Sequence, residues 1–532
     1  MLRTLIRLNP RVCVNSGRFS PPATKIVSTI GPTSEQKPIL QRLVSEGVRV
    51  MRLNFSHATV EEADLRLTNL RSSSGRNGDT NGMGASDGVD GVLRKGCKGM
   101  VGEGRNMRAS LLDTRGPEIR TLKIENDTTG KETLTLTKGE QVGVESDVTG
   151  EKECTPGKFY VNYAGIEKVV KPGDRILLDD GAVTLECTAV SENTVISTIL
   201  NTGDVRSRVG VNLPGVKTGL PAMSEKDRVD IKYGIENDVD FVAASFVRDA
   251  AGVREIRTYI DEIKGDGVGP LIISKIENVE GLDNFEEILE ESDGIMVARG
   301  DLGVEIPLER VTLEQKNMVR RCNEVGKPVI VATQMLESMT KNPRPTRAEV
   351  SDVTNAVLDG ADAVMLSGET AKGNYVVETV NAMQSIIKET EFWVKEGGVS
   401  VSAYVHPDIN LDCEYNSVAK AAVAAAEAAD AKAIIVLTKT GRTARLTSRY
   451  RPNVPIVCFA NSYKVGRQLQ LQRACHPVVG LGDIDPKQRA EEAAAMTKEL
   501  GFLQKGDTYV LIQAEKTTRG DNVIGMKIGS IE

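Results

Sequence analysis

The sequence predicts an α/β fold: a TIM-type (β/α)8 barrel carrying an inserted β-barrel lid domain and followed by a C-terminal α/β sandwich domain. Three observations lead there. Eight short aliphatic runs recur between residues 25 and 370, and they are continuously apolar rather than alternating. Strands of that kind are buried on both faces, as in a parallel sheet. Helical patterns lie between most of them, so strand and helix alternate. Polar and charged residues gather at the C-terminal ends of the runs, which in such a barrel is the mouth that holds an active site.

The runs are KIVSTIG (25–31), VRVMRLNF (48–55), ASLLDTRG (109–116), FVAASFV (241–247), PLIISKIEN (270–278), DGIMVARGD (293–301), PVIVATQM (328–335) and AVMLSGET (363–370). Between them, SEQKPILQRLVSEG offers a Ser cap and a closing Gly47, and SEKDRVDIKYGIEND, NFEEILEESD, LEQKNMVRRCNEVGK and RAEVSDVTNAVLDG repeat the helical pattern. The polar residues at the run ends are Arg52, Asn54, Ser56, Asp113, Arg115, Lys275, Glu277, Arg299, Asp301, Thr333, Ser367 and Glu369. Lys275 and Glu277 stand two apart on one strand and so point to one side. A private ion pair would explain that spacing, and so would a site. Polar residues at the ends of several different strands favour the site.

Two stretches interrupt the alternation. Residues 117–213 turn often and alternate, as in KETLTLTKGEQVGV and GDRILLDDGAVTLECTAV, and read as a small β-barrel placed to act as a lid. Residues 72–106 are Gly-rich and poor in bulky side chains, a low-complexity surface insert. The barrel therefore comprises 22–116 and 214–395. Residues 396–532 form the sandwich, with NSVAKAAVAAAEAADA as a small-residue helix and KAIIVLTKTG, PIVCFA, HPVVGLG and DTYVLIQAE as strands.

Bulk properties narrow the function. The 532 residues suffice for about three domains of ~100–200 residues. A net charge of −7 gives no footprint for nucleic acid, and no run of 18 apolar residues is present to span a membrane. The eight cysteines lack CxxC spacing, which suits free thiols and no zinc site. With histidine only at positions 57, 406 and 476, chemistry is expected from lysine, carboxylates and a metal. Residues 1–21 form a basic leader: Arg3, Arg7, Arg11 and Arg18 precede the first acid, Glu35. That is the composition of a mitochondrial transit segment or of a disordered basic arm.

RLNFSH (52–57), LDTRGPEIR (112–120), GVNLPG (210–215), ISKIEN (273–278), MVARGDLG (296–303), VATQMLESM (331–339) and SGETAKG (367–373) together resemble the pyruvate kinase family over roughly residues 22–532. The resemblance implies phosphoryl transfer from phosphoenolpyruvate to ADP, giving pyruvate and ATP, the last step of glycolysis. It implies Mg2+ or Mn2+ on Glu277 and Asp301, and K+ on Asn54, Ser56, Asp113 and the carbonyl of Thr114, with Glu118 at the acidic position that accompanies potassium dependence. Catalysis is expected from Lys275, Thr333 and Arg52. The substrate would be held by Arg52, Lys275, Arg299, Gly300, Asp301 and Thr333, and the nucleotide by Arg52, His57, Arg120 and Arg208. Asn54 and Ser56 alone could instead cap the next helix.

The resemblance further implies a homotetramer, a cytoplasmic location and a phosphorylated allosteric effector held by Thr438, Lys439, Thr440, Gly441, Arg442 and Thr443 in a C-terminal regulatory domain. That turn alone could be an ordinary helix start. Its partner loop, TTRGDNVIG (517–525), departs from the family pattern. So does Val209, which stands where the family has a basic residue before GVNLP. Val209→Lys is therefore expected to tighten ADP binding unless Arg208 fills the role. Two other readings fit part of the pattern: a magnesium-dependent lyase acting through an enolate, which would need no lid or nucleotide site, and a phosphometabolite sensor without catalysis.

Overall fold

A computed structural model of the chain describes residues 21–73, 107–129, 131–398, 414–479, 481, 484–485, 488–516 and 522–532. The basic leader, most of the 72–106 insert and the first half of the 517–525 loop lie outside the described residues. Eight parallel strands close into a barrel: β1 Lys25–Thr29, β2 Val50–Asn54, β3 Ala109–Asp113, β4 Phe241–Ala244, β5 Leu271–Ile276, β6 Gly294–Ala298, β7 Val329–Ala332 and β8 Ala363–Leu366. Each aliphatic run of the sequence supplies one strand. Val27, Val50, Leu111, Phe241, Ile273 and Ile330 fill the barrel interior. Their neighbours Ile26, Met51, Leu112, Val242 and Ile272 pack outward under the helices. Two separate cores on the two faces of one strand account for the unbroken apolarity.

Several helices begin on local capping signals. Thr59, Ser224 and Thr346 cap their helices in full capping boxes. The first helix, Lys37–Ser45, begins instead with a proline in its first turn and no side-chain cap. Ser34, expected to cap it, turns back to accept a bond from the Gly31 N–H at 3.1 Å.

After β3 the chain builds the inserted β unit, in which a six-stranded sheet and a two-stranded ribbon curl round one apolar core. The sheet's edge strands are Val211–Asn212 and Lys158–Val161. Arg120 and Thr121 span the gap by bridging Gly210 and Val161, which closes the small barrel. The C-terminal sheet comprises β9 Ala433–Thr438, β10 Ile456–Ala460, β11 Cys475–Val478, β12 Thr508–Lys516 and β13 Asn522–Ser530, in the order β11-β10-β9-β12-β13. Helices and apolar clusters cover both faces. β13 was not expected from the sequence. Its exposed Val523, Met526 and Ile528 show why: as an edge strand it lacks a fully buried run.

The C-terminal sheet seals the barrel's N-terminal end. Leu471 enters the barrel's interior cluster. Arg451 pairs with Asp362 through two bonds of 2.8 and 2.9 Å, both side chains 2% exposed. Asp362 also accepts from the N–H groups of Val329 and Arg473. Arg467 holds Asp240, just ahead of β4, at 2.8 Å. Removing one partner of a buried pair strands the other charge. Asp362→Ala should therefore weaken the joined units by about 3–5 kcal/mol, read as an earlier urea transition. An unchanged transition would show that this pair does not join them.

Candidate active site

Strands β3, β4 and β5 lie side by side, with Asp113 opposite Ala243 and Ala244 opposite Ser274. This register brings Asp113, Ser245 and Lys275 together just past the strand ends. The Lys275 ammonium lies 3.2 Å from Asp113 Oδ1 and 2.9 Å from Glu277 Oε1, and donates to Ser245 Oγ at 2.7 Å. Arg52 reaches the same carboxylate from β2, with Nε 2.5 Å from Asp113 Oδ2, and donates to Thr29 Oγ1. Asp113 and Glu277 are each 1% exposed. Burial pushes the Asp113 carboxyl up, but Arg52 and Lys275 outweigh it and hold it below the usual range. Burial works against the Lys275 cation, yet Asp113 and Glu277 raise its pKa above the ordinary lysine value. Lys275 is charged.

Glu277 accepts from the Phe246 N–H at 2.5 Å through Oε2. Its buried Oε1 has the Lys275 ammonium, at 2.9 Å, as its partner. Burial first, and then the charge of Asp301, push the Glu277 carboxyl up against the pull of Lys275. Asp113, Glu277 and Asp301 thus face two cations, Arg52 and Lys275. Glu277 and Asp301, two hard carboxylate ligands lining one cavity, fit a divalent cation. Among the described residues no three His, Cys or carboxylate side chains converge to hold a metal alone, so such an ion would complete its shell with substrate and water oxygens.

Above this floor lies a cavity of about 580 Å3 between barrel and inserted unit. It is lined by Arg52, Asn54, Ser56, His57, Arg120, Arg208, Lys275, Glu277 and Asp301 among others. Asp113 and Thr114 stand beneath it, buried. The Thr114 carbonyl accepts from Ser245 Oγ at 2.6 Å. Asn54 Oδ1 accepts from the Ser56 N–H at 3.1 Å, and the following helix is capped by Thr59. Neither Asn54 nor Ser56 is a cap.

Gly300 and Thr333 pack against each other beside the cavity: a Cβ on Gly300 would come within 2.9 Å of Thr333 Cγ2. Thr333 and Gln334 are both left-handed, with φ of 76° and 57°. The Arg299 side chain holds this turn, donating to Thr333 O at 2.6 Å and pairing with Asp352 at 2.8 Å. Its guanidinium is thereby committed to the loop. Gly300 and Asp301 open the helix Arg299–Glu305, where first-turn N–H groups have no intrahelical partner. Glu369 serves structure, accepting from the N–H groups of Leu336 and Ser367.

Sequence reasoning missed several neighbours. Ser245 and Phe246 fall inside the apolar run 241–247, where one serine among apolar residues carries no distinctive signal. Asp180 and Glu305 also line the cavity. Burial, then Asp301, Asp179 and Glu118, push Asp180 up. Glu305 meets Asn212 of the inserted unit at 3.2 Å. Thr438, Lys439, Thr440, Gly441, Arg442 and Thr443 lie away from the cavity at the end of β9. There Thr438 Oγ1 accepts from the left-handed Gly441 N–H at 3.0 Å, and Arg442 stands over the Tyr415 ring.

Family models for the pyruvate kinase barrel domain and the pyruvate kinase alpha/beta domain match residues 22–380 and 416–525. The chain is 40% identical over 504 residues to pyruvate kinase 1 of Trypanosoma brucei brucei, covering 94% of each. It is 41% identical over 506 residues to the pyruvate kinase of Leishmania mexicana, again covering 94% of each. The chain belongs to the pyruvate kinase family. A crystal structure of a pyruvate kinase from Cryptosporidium parvum superposes with a TM-score of 0.82 at 34% identity, covering 97% of both chains. The chain is a phosphotransferase that passes the phosphoryl group of phosphoenolpyruvate to ADP, giving pyruvate and ATP.

Val209, expected to depart from the family pattern, lies in the inserted unit. The side chain is 6% exposed in that unit's core, and its N–H donates to Thr121 Oγ1. Arg208 is exposed at the cavity, with a left-handed backbone (φ 59°) and its carbonyl held by Arg120. Val209 borders the cavity, but its side chain packs into the unit's core, which weighs against a phosphate contact from this position. Val209→Lys should instead lower the melting temperature without tightening ADP binding, because it buries an unpaired ammonium. A variant with wild-type melting and a lower ADP KM would reverse this reading.

Proposed function

We propose that Lys275 is the catalytic cation of the transfer and that the cavity holds phosphoenolpyruvate on its floor and ADP beneath the inserted unit, which acts as a lid. The carrying observation is a charged, buried lysine aimed between two carboxylates at the cavity floor. Phosphoryl transfer needs positioning and neutralisation of developing charge more than covalent help. Lys275 and Arg52 take the phosphoryl oxygens. Lys275 also stabilises the enolate oxygen that is left when the bond to phosphorus breaks. The backbone N–H groups of Gly300 and Asp301, following Arg299, hold the substrate carboxylate. Thr333 adjoins the methylene carbon and delivers a proton through water, since its own hydroxyl is too weak an acid.

Glu277 and Asp301 would hold a Mg2+ or Mn2+ ion, which when bound supplies charge neutralisation on the phosphoryl oxygens. Asn54, Ser56, Asp113 and the Thr114 carbonyl would hold K+ as hard oxygen donors. His57, Arg120 and Arg208 line the outer cavity and take the nucleotide phosphates with Arg52. The reaction would close glycolysis, in the cytoplasm unless residues 1–20 serve as an import segment. The protein would work as a homotetramer, and the turn at 438–443 would take a phosphorylated effector at the start of its helix.

Lys275→Met should keep the fold and cut kcat by at least ~10^3, a few kcal/mol of lost charge stabilisation. A loss under tenfold would make Lys275 only the ion-pair partner of Glu277. Activity should also rise steeply with potassium and weakly with sodium. Full turnover in a sodium-only buffer would contradict the assignment of Asn54, Ser56, Asp113 and Thr114.

A further inference from the structure

We infer that Ser245 is a positioning residue for phosphoryl transfer: its hydroxyl fixes the Lys275 ammonium at the cavity floor. This rests on the reading of Lys275 as the catalytic cation. A lysine ammonium has three donors on a flexible stem, so two carboxylates alone leave it free to swing between them. Ser245 supplies a third fixed partner. Its Oγ accepts from Lys275 Nζ at 2.7 Å. The hydroxyl proton has a short route to the Thr114 carbonyl at 2.6 Å and a longer one to Asp113 Oδ1 at 3.2 Å. Donating to the carbonyl turns an oxygen lone pair toward the ammonium.

The backbone makes the hydroxyl's position rigid. Ser245 is 4% exposed, and its own N–H donates to Thr114 Oγ1 at 3.1 Å. The next residue, Phe246, is left-handed (φ 54°), an uncommon conformation for a bulky side chain. It places the Phe246 N–H on Glu277. Two consecutive residues thus grip both members of the Lys275–Glu277 pair. Gly116 lets them approach: a Cβ there would come within 2.9 Å of both Ser245 Cβ and the Phe246 ring.

The test is a double-mutant cycle on the full chain, with Ser245→Ala, Lys275→Met and both together, and with Ser245→Cys to retain side-chain volume should the alanine variant not fold. For Ser245→Ala we expect kcat to fall about 10- to 100-fold, with the phosphoenolpyruvate KM within twofold and the melting temperature unchanged. In the Lys275→Met background the same change should cost nothing more, because the residue acts through Lys275. A Ser245→Ala enzyme with kcat within twofold of wild type overturns the inference, as does an equal loss in the Lys275→Met background. Lys275→Met turning over at wild-type rate would overturn both this inference and the reading beneath it.

Discussion

The structure turns on keeping a charged lysine dry. A buried ammonium costs several kcal/mol unless opposed by charge and hydrogen bonds in good geometry. Asp113 and Glu277 oppose it here, and Ser245 adds a neutral acceptor. The three strands that meet at this point are parallel and in a fixed register. Because side chains alternate along a strand, a one-residue slip would turn Lys275 into the apolar layer under the helices. The requirement that Lys275 meet its partners thus constrains the same register that keeps Ile272 outside the barrel and Ile273 inside it.

That arrangement has an electrostatic consequence. Asp113 is shared by Arg52 and Lys275, so one carboxylate serves two cations. Burial and the nearby charge of Asp301 push the Glu277 carboxyl up against the pull of Lys275. A site so arranged attracts a small hard cation and an anionic ligand together, each making the other's binding more favourable. This accounts for a phosphotransferase with no histidine in its inner cluster: the chemistry calls for fixed charge and exclusion of water more than for a titrating base.

Much of this was legible in the residues. Strands buried on two faces write continuous apolar runs, so the barrel could be read directly, and polar residues closing those runs marked the mouth. Ser245 could not be read in the same way, because a serine at a strand end is ordinary and its importance lies in contacts with residues 113, 114 and 275. Arg299 stands among the strand-end polar residues, but its guanidinium closes on Thr333 and Asp352, a choice that only the turn geometry decides. At positions 208 and 209 the family match predicts a side chain's chemistry but not its burial: both border the cavity, Arg208 exposed and Val209 packed into the unit's core. β13 escaped notice because an edge strand has no second core to write into its sequence.

The joint between barrel and C-terminal sheet has a polarity worth following. Arg467 and Lys464 hold Asp240, which immediately precedes β4, and Asp240 in turn accepts from the N–H and hydroxyl of Ser110 within β3. Arg451 holds Asp362, which immediately precedes β8. The helix Tyr463–Leu469 and the turn at Arg451 of the C-terminal unit therefore grip strands at their N-terminal ends, while the cavity is built from their C-terminal ends. These short strands of four or five residues are each flanked by a neighbouring strand on both sides. Asp113 closes β3, and Ser245 follows β4 directly. The two residues that flank the Lys275 ammonium from this side are thus attached to the very strands that the distant joint secures, which ties the geometry of the cavity floor to the seating of the C-terminal sheet.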